Sequence, residues 1–155
     1  MQIVSTEIEI NEYIKEVIRE IDLPLQPNQQ IIHYHQGENK VFADEYLLKN
    51  ILINLLTNGV KFSPEGENVE IHTFQKNGKL KIQVKDFGVG IPEEQQQFLF
   101  TRFFRAKNVQ NIQGTGLGLT IVKYYLDLMK GKIWFESKEG QGTTFFVEIP
   151  SENLT

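Results

Sequence analysis

The chain has 155 residues, 40% hydrophobic and 23% charged, a composition typical of one soluble globular domain with its own core. Its net charge of -4 argues against nucleic acid as a main partner, because phosphate binding requires a basic face. It contains no cysteine, which excludes disulfides and thiol catalysis, and no apolar run long enough to span a bilayer. We therefore expect a cytoplasmic location and no direct membrane contact.

The first predicted elements are short strands and one helix. Residues 6–10 alternate in polarity like a strand, and Asn11 is expected to cap the helix that follows. Residues 30–36 and 40–43 predict two further strands on either side of a turn at Gly37.

A long helix is predicted next, with Asp44 as its N-cap and its end at Pro64. Helical periodicity places one apolar stripe toward the core, formed by Leu48, Ile51, Leu52 and Leu55. Asn54, Asn58 and Lys61 fall on a neighbouring face. Asparagine oxygens suit Mg²⁺ and a lysine suits phosphate, so this face is a candidate site. A solvated helix face is the simpler alternative for these three residues taken alone.

Two hairpins are predicted in the second half of the chain. Residues 69–74 and 79–84 flank the turn Asn77–Gly78, and residues 132–137 pair with 143–149. Strands and helices mixed in this order predict an α+β fold, a two-layer sandwich in which helices cover one face of a mixed, mainly antiparallel sheet.

The turn after the first hairpin is a second candidate site. Asp86 ends the predicted strand, and a carboxylate there can accept hydrogen bonds from an exocyclic amine. Gly88 and Gly90 would let a flat ring approach the backbone. An ordinary turn is the alternative.

A third candidate is a glycine-rich run that leads into the last predicted helix, from about Thr120 to Met129. Gly114, Gly116 and Gly118 leave bare backbone N–H groups at a positive helix end, which suits phosphate. Upstream, four phenylalanines suggest core, whereas the side chains of Arg102 and Arg105 suit phosphate. His33 and His35 share one side of a strand, where edge histidines are a simpler account than a metal site.

Five segments, in family order, together resemble the motifs of bacterial sensor histidine kinases of the GHKL superfamily. Residues 54–64 resemble the N box, 86–92 the first glycine box, 100–105 the F box, 114–119 the second glycine box and 140–145 the last one. The resemblance covers nearly the whole chain and implies the Bergerat ATP-binding fold, as a single catalytic domain over 1–155 with a lid at about 93–118.

The resemblance also implies the role of each site residue toward ATP and Mg²⁺. Asp86 would bind the adenine amino group, supported by Thr143, and Asn58 would hold Mg²⁺. Asn54, Lys61 and Arg105 would act near the phosphates. The remaining nucleotide contacts would come from Phe62, Gly88, Gly90, Ile91, Gly114, Thr115, Gly116, Leu117, Gly118 and Leu119.

Three further features of the sequence refine the expected function. ATP-hydrolysing relatives generally carry Glu at position 54, whereas the Asn54 amide cannot act as a general base, which favours phosphoryl transfer over hydrolysis. Position 59 is Gly, where the family usually has Ala. No histidine is followed by the acidic residue typical of a phosphoacceptor, so the dimerisation domain is expected to lie outside the chain.

The expected function is therefore the catalytic part of a two-component sensor kinase, monomeric as an isolated domain. Its partners would be a histidine-containing dimerisation domain of the same parent protein, to which any membrane-bound part would also belong, and a response regulator. There are two alternatives. One is a non-catalytic ATP-binding or docking module, which belongs to another functional class, and the second is a serine-directed kinase of the same superfamily.

Overall fold

The computed structural model describes residues 2–21, 25, 27–64, 66–100 and 118–152. In chain order its elements are β1 (Thr6–Glu9), α1 (Ile10–Glu20), β2 (Ile31–Gly37), β3 (Lys40–Ala43), α2 (Glu45–Phe62), β4 (Val69–Lys76), β5 (Lys79–Asp86), a 3₁₀-helix (Glu93–Phe98), α3 (Gly118–Leu128), β6 (Lys132–Lys138) and β7 (Gly142–Pro150). Among the described residues, no helix is both long and apolar enough to cross a bilayer.

A five-stranded sheet in the order β2-β4-β5-β7-β6 forms one layer of the molecule. Strand β2 runs parallel to β4, and the other neighbours are antiparallel, so the predicted mixed, mainly antiparallel sheet is confirmed. Strands β1 and β3 form a separate two-stranded antiparallel sheet. The strands on either side of Gly37 therefore belong to different sheets.

Helices cover one face of the large sheet, as the sequence predicts. The alternation of β5 buries Leu80, Ile82 and Val84 and leaves Lys81 and Gln83 between them exposed. The predicted apolar stripe of α2 is fully buried in the same core, which also receives Val122 and Leu126 from α3. This layer arrangement is the predicted α+β sandwich.

Helices α1 and α2 begin in different ways. Asp44 caps α2 as predicted, because its Oδ1 accepts hydrogen bonds from the N–H groups of Tyr46 and Leu47. The prediction that Asn11 caps α1 is wrong, since α1 already begins at Ile10. The first amides of α1 instead donate to Asn39 from the turn between β2 and β3, at 2.9 Å to its carbonyl and 3.0 Å to its side-chain Oδ1.

The two histidines of the edge strand β2 share one buried partner on β4. The Thr73 hydroxyl hydrogen-bonds to Nε2 of His33 at 2.8 Å and to Nδ1 of His35 at 2.7 Å. His35 also donates from Nε2 to the carbonyl of Glu38. Burial is the main cause that lowers the pKa of His33 to about 4, so its ring is neutral at physiological pH. The two histidines therefore stabilise the pairing of the edge strand β2 with β4.

One buried serine fastens the small sheet to the large one. The backbone N–H of Phe42 in β3 donates to Ser151 Oγ at 2.9 Å. The N–H of Ser151 in turn donates to the carbonyl of Gly78 in the β4–β5 turn, at 2.8 Å. Ser151 therefore joins β3, the end of β7 and the first hairpin.

Candidate functional site

Asp86 forms the centre of the candidate site at the end of β5. The alternation that buries the apolar residues of β5 also turns this carboxyl group inward, and only 7% of the residue is exposed. Its Oδ1 accepts hydrogen bonds from the N–H of Gly88 at 3.0 Å and from the N–H of Thr143 at 3.2 Å. Within the described part of the chain, Oδ2 accepts no hydrogen bond. One oxygen of a largely buried carboxyl group therefore has no partner among the described residues.

The environment of Asp86 opposes ionisation. Burial raises the pKa of the carboxyl group to about 6, and the two backbone hydrogen bonds only partly offset that effect. At neutral pH the group is still ionised. A buried carboxylate with a vacant oxygen is a strong acceptor for a donor supplied by a ligand, because such a bond replaces lost hydration.

The loop after β5, residues 87–92, interlocks with the turn between β6 and β7. We call this segment the Asp86 loop. Gly90 has φ +70°, and a Cβ added there would collide with the carbonyl oxygen of Lys138. Gly142 has φ +93°, and a Cβ there would collide with the carbonyl oxygen of Asp86. The N–H of Gly140 also donates to the carbonyl of Val89 at 2.6 Å. Only glycine allows this approach of the two segments.

Sequence reasoning missed two residues of this loop junction, Ser137 and Gln96. Ser137 Oγ accepts a hydrogen bond from the N–H of Ile91 and lies 2.7 Å from the hydroxyl oxygen of Thr143. Gln96 donates from Nε2 to the carbonyl of Ile91 and to that of Ser137, both at 3.0 Å. The signal available for Ser137 was its alternation in β6, which pairs it directly with Thr143.

The polar face of α2 lies beside this junction. Gly59 packs against the sheet, where an added Cβ would lie 3.1 Å from Val69 Cγ1 and 3.8 Å from Asp86 Cβ. Its neighbour Asn58 is half-buried and makes no hydrogen bond to any described residue. The predicted asparagine face and the predicted aspartate are thereby brought to the same part of the fold.

Asn54 contacts the beginning of α3. Its Nδ2 donates to the carbonyl of Asn50 at 2.7 Å, and a Cβ added to Gly118 would lie 2.9 Å from its Oδ1. Gly118 and Leu119 form the first turn of α3, which begins earlier than the predicted start at Thr120. Leu119 packs against the core, so its side chain has a structural role.

Several predicted site residues need separate mention. Ile91 is buried in the core and joins the site through its backbone groups. Lys61 lies in the last turn of α2, near the predicted asparagines. The predicted residues that lie outside the described structure are Arg102, Arg105, Gly114, Thr115, Gly116, Leu117 and the side chain of Phe62.

Comparison with known families gives a match that contains both parts of this site. The model of the family described as "Histidine kinase-, DNA gyrase B-, and HSP90-like ATPase" matches residues 43–153. This range begins at the end of β3 and includes α2, the Asp86 loop and the β6–β7 hairpin.

Individual relatives cover more of the chain. It is 31% identical over 153 residues to the adaptive-response sensory kinase SasA of Crocosphaera subtropica. This match covers 97% of this chain and 40% of SasA. It is 39% identical over 113 residues to the sensor-like histidine kinase SenX3 of Mycolicibacterium smegmatis, covering 72% of this chain and 29% of SenX3. The chain thus spans less than half the length of either relative.

A solved structure of similar extent has the same fold. The catalytic domain of the histidine kinase ThkA, in a nucleotide-free form, superposes with a TM-score of 0.76 at 34% sequence identity. The match covers 97% of both chains, so the fold correspondence extends over all layers of the molecule.

Proposed function

Because the chain belongs to the family of histidine kinase-, DNA gyrase B- and HSP90-like ATPases, we propose that it binds Mg·ATP and transfers the γ-phosphoryl group to a histidine. That histidine would lie on a separate dimerisation domain, and the phosphoryl group would pass on to a response regulator. The names of the relatives, which are sensor kinases, support this choice within the family.

The observation that carries the proposal is that Asp86 Oδ2 has no hydrogen-bond partner in the described part of the chain. Adenine offers an exocyclic amine, which donates two hydrogens and can meet Oδ2. Gly88 and Gly90 would let the flat ring lie against the loop, and the Thr143 N–H holds the carboxylate through its other oxygen, Oδ1. The cost of burying Asp86 is then offset when nucleotide binds.

The phosphates would lie along the polar face of α2. The amide of Asn58, which makes no hydrogen bond to the described residues, supplies a hard oxygen of the kind that Mg²⁺ prefers, so this residue fits the proposed metal ligand. Asn54 and Lys61 would face the phosphates, together with Arg105 and the backbone of residues 114–118. When bound, the metal would neutralise phosphate charge.

The proposed chemistry depends mainly on positioning. Phosphoryl transfer requires an aligned acceptor and neutralised charge more than a protein nucleophile. The amide at Asn54 cannot take a proton from water, which favours transfer to an acceptor over hydrolysis. The lid, over about residues 93–118, and the single-domain organisation are part of the same proposal.

Calorimetric titration of the purified chain with ATP tests the binding step. We expect Mg²⁺-dependent binding, which Asp86→Asn weakens about tenfold or more because its NH₂ group faces the adenine amine as a second donor. Asn58→Ala should abolish the difference in ATP affinity with and without Mg²⁺. Asp127→Asn, in an exposed part of α3, is the matched control. Absence of ATP binding by the wild-type chain would contradict the proposal.

A phosphorylation assay tests the transfer step. The chain is incubated with Mg·ATP labelled at the γ-phosphate and the separately purified dimerisation domain of a sensor histidine kinase. We expect a labelled product that is stable to alkali and labile to acid, as phosphohistidine is. An acid-stable product would instead indicate the serine-directed kinase, and binding without transfer to any such domain would indicate a non-catalytic module.

A further inference from the structure

Gln96 occupies a position from which one side chain joins three segments. It lies in the 3₁₀-helix Glu93–Phe98, directly after the Asp86 loop. Its amide nitrogen donates to the carbonyl of Ile91, the penultimate residue of the loop, and to the carbonyl of Ser137 in β6. Both acceptors are backbone carbonyls, so the junction requires a donor at this position.

Ser137 connects the same junction to the Asp86 carboxylate through hydrogen bonds. Its Oγ accepts from the N–H of Ile91 at 2.8 Å, so Ile91 is held at both its N–H and its carbonyl. The Ser137 hydroxyl also lies within hydrogen-bond distance of the carbonyl of Gly142 and of the hydroxyl of Thr143. Thr143 then donates its N–H to Asp86. A continuous series of hydrogen bonds thus runs from Gln96 to the acceptor group.

We propose that Gln96 is a positioning residue that holds the Asp86 loop in the conformation that accepts adenine. This inference rests on the proposed function, since it assigns to Gln96 a part in nucleotide binding without contact to the nucleotide. A loop that is already ordered loses less entropy when the ligand binds, so removing the two bonds should weaken affinity.

The effect should be confined to the base. Gln96 acts on the loop that meets adenine, and its bonds reach neither Asn54 nor Asn58 on α2. Loss of these bonds should therefore raise the Kd of ATP and of ADP by the same factor. It should raise KM for ATP and leave kcat at saturating ATP unchanged.

The test uses isosteric variants of two adjacent glutamines. Gln96→Glu keeps the shape of the side chain and replaces the donor by an acceptor that faces two carbonyls, so we expect Kd for Mg·ATP and for Mg·ADP to rise about tenfold. Gln97→Glu makes the same change in charge at an exposed neighbour and should stay within twofold of wild type. Gln96→Lys restores a donor that can reach carbonyl groups and should recover most of the affinity.

Hydrogen exchange separates a positioning role from general destabilisation. In Gln96→Glu the amides of residues 88–91 should exchange faster than in Gln97→Glu, with equal protection in β4 and β5. Gln96→Met, which removes the donor without adding charge, provides the same comparison if the Glu variant does not fold.

Three results would overturn the assignment. If Gln96→Glu and Gln97→Glu had equal Kd values, a specific positioning role for Gln96 would be excluded. A drop in kcat with unchanged KM would place its effect on the transfer step instead of the base. A wild-type chain that binds no adenine nucleotide would overturn the proposed function, and this assignment with it.

Discussion

Asp86 combines two opposing requirements in one carboxyl group. Burial favours its neutral form and raises its pKa to about 6, whereas the backbone donors from Gly88 and Thr143 favour the charged form. The folded protein therefore holds an ionised group under unfavourable conditions at pH 7. A site of this kind is less stable empty than it would be with a neutral side chain.

This tension predicts how stability depends on pH. Because the pKa of Asp86 rises on folding from 3.8 to about 6, its stabilising contribution is complete below pH 3.8 and is lost as the pH rises through about 6. Asp86→Asn has no such loss, so its free energy of unfolding relative to wild type should increase between pH 4 and pH 7. Urea denaturation of both proteins across this range measures the difference.

The titration of His33 in β2 does not affect this comparison. The lowered pKa of His33 gives a contribution that is present above pH 6.5 and lost as the pH falls toward about 4. That contribution occurs in both proteins and cancels in the difference. Parallel stability curves for wild type and Asp86→Asn would contradict the assignment of the raised pKa to Asp86.

The sequence singled out some site residues and not others for a physical reason. Asp86 was recognisable because a carboxylate followed by alternate glycines at a strand end is a local pattern. Gln96 stands within three consecutive glutamines and Ser137 within an ordinary strand. Their roles depend on which strands pair and on where the loop turns back, which no local pattern contains.

At the scale of the element, the start of α2 is fixed by one side chain. Asp44 Oδ1 accepts from two amides of the first turn, and its Oδ2 accepts from the N–H of Val4 at 2.9 Å. The same carboxylate thus caps the helix and fastens the N-terminal segment. Because α2 carries the candidate metal ligand, the cap also fixes the end opposite the site.

Removal of this cap should destabilise the protein measurably. Asp44→Ala leaves three backbone N–H groups without their partner and should reduce the free energy of unfolding by roughly 1–2 kcal/mol. Guanidinium denaturation followed by far-UV circular dichroism provides the measurement. Asp127→Ala, in the exposed part of α3, should change stability much less. Equal losses in both variants would show that the cap contributes nothing specific.

Local chemistry predicted the elements better than it predicted their partners. The Asn77–Gly78 turn has φ values of 55° and 74°, which asparagine and glycine adopt readily, so its hairpin could be predicted from the sequence. The cap of α1 could not, because Asn39 lies far from that helix in the chain. The parallel pairing of β2 with β4 also depends on contacts distant in sequence.

At the scale of the whole molecule, two sheets share one core. Ile8 and Val41, from the small sheet, are buried in the same cluster as Leu55 of α2 and Ile82 of the large sheet. Ser151 adds a hydrogen-bonded connection between the two sheets through Phe42. We therefore expect the sheets to unfold together.

Ser151→Ala tests this connection. The substitution leaves the partly buried N–H of Phe42 without its acceptor, so the free energy of unfolding should fall by about 1 kcal/mol. A single transition monitored by tryptophan fluorescence and by circular dichroism should persist at lower denaturant concentration. Ser5→Ala is an exposed control. Two separate transitions in wild type would contradict the common core.

The interlock of Gly90 and Gly142 with the opposing backbone has a consequence for how such chains can be recombined. Each glycine faces a carbonyl of the other segment, so neither segment has room to change its path alone. A chimaera that receives the Asp86 loop from a related protein should tolerate the graft only when the β6–β7 turn comes with it. For protein engineering, the two segments behave as one exchangeable module, although more than forty residues of chain separate them.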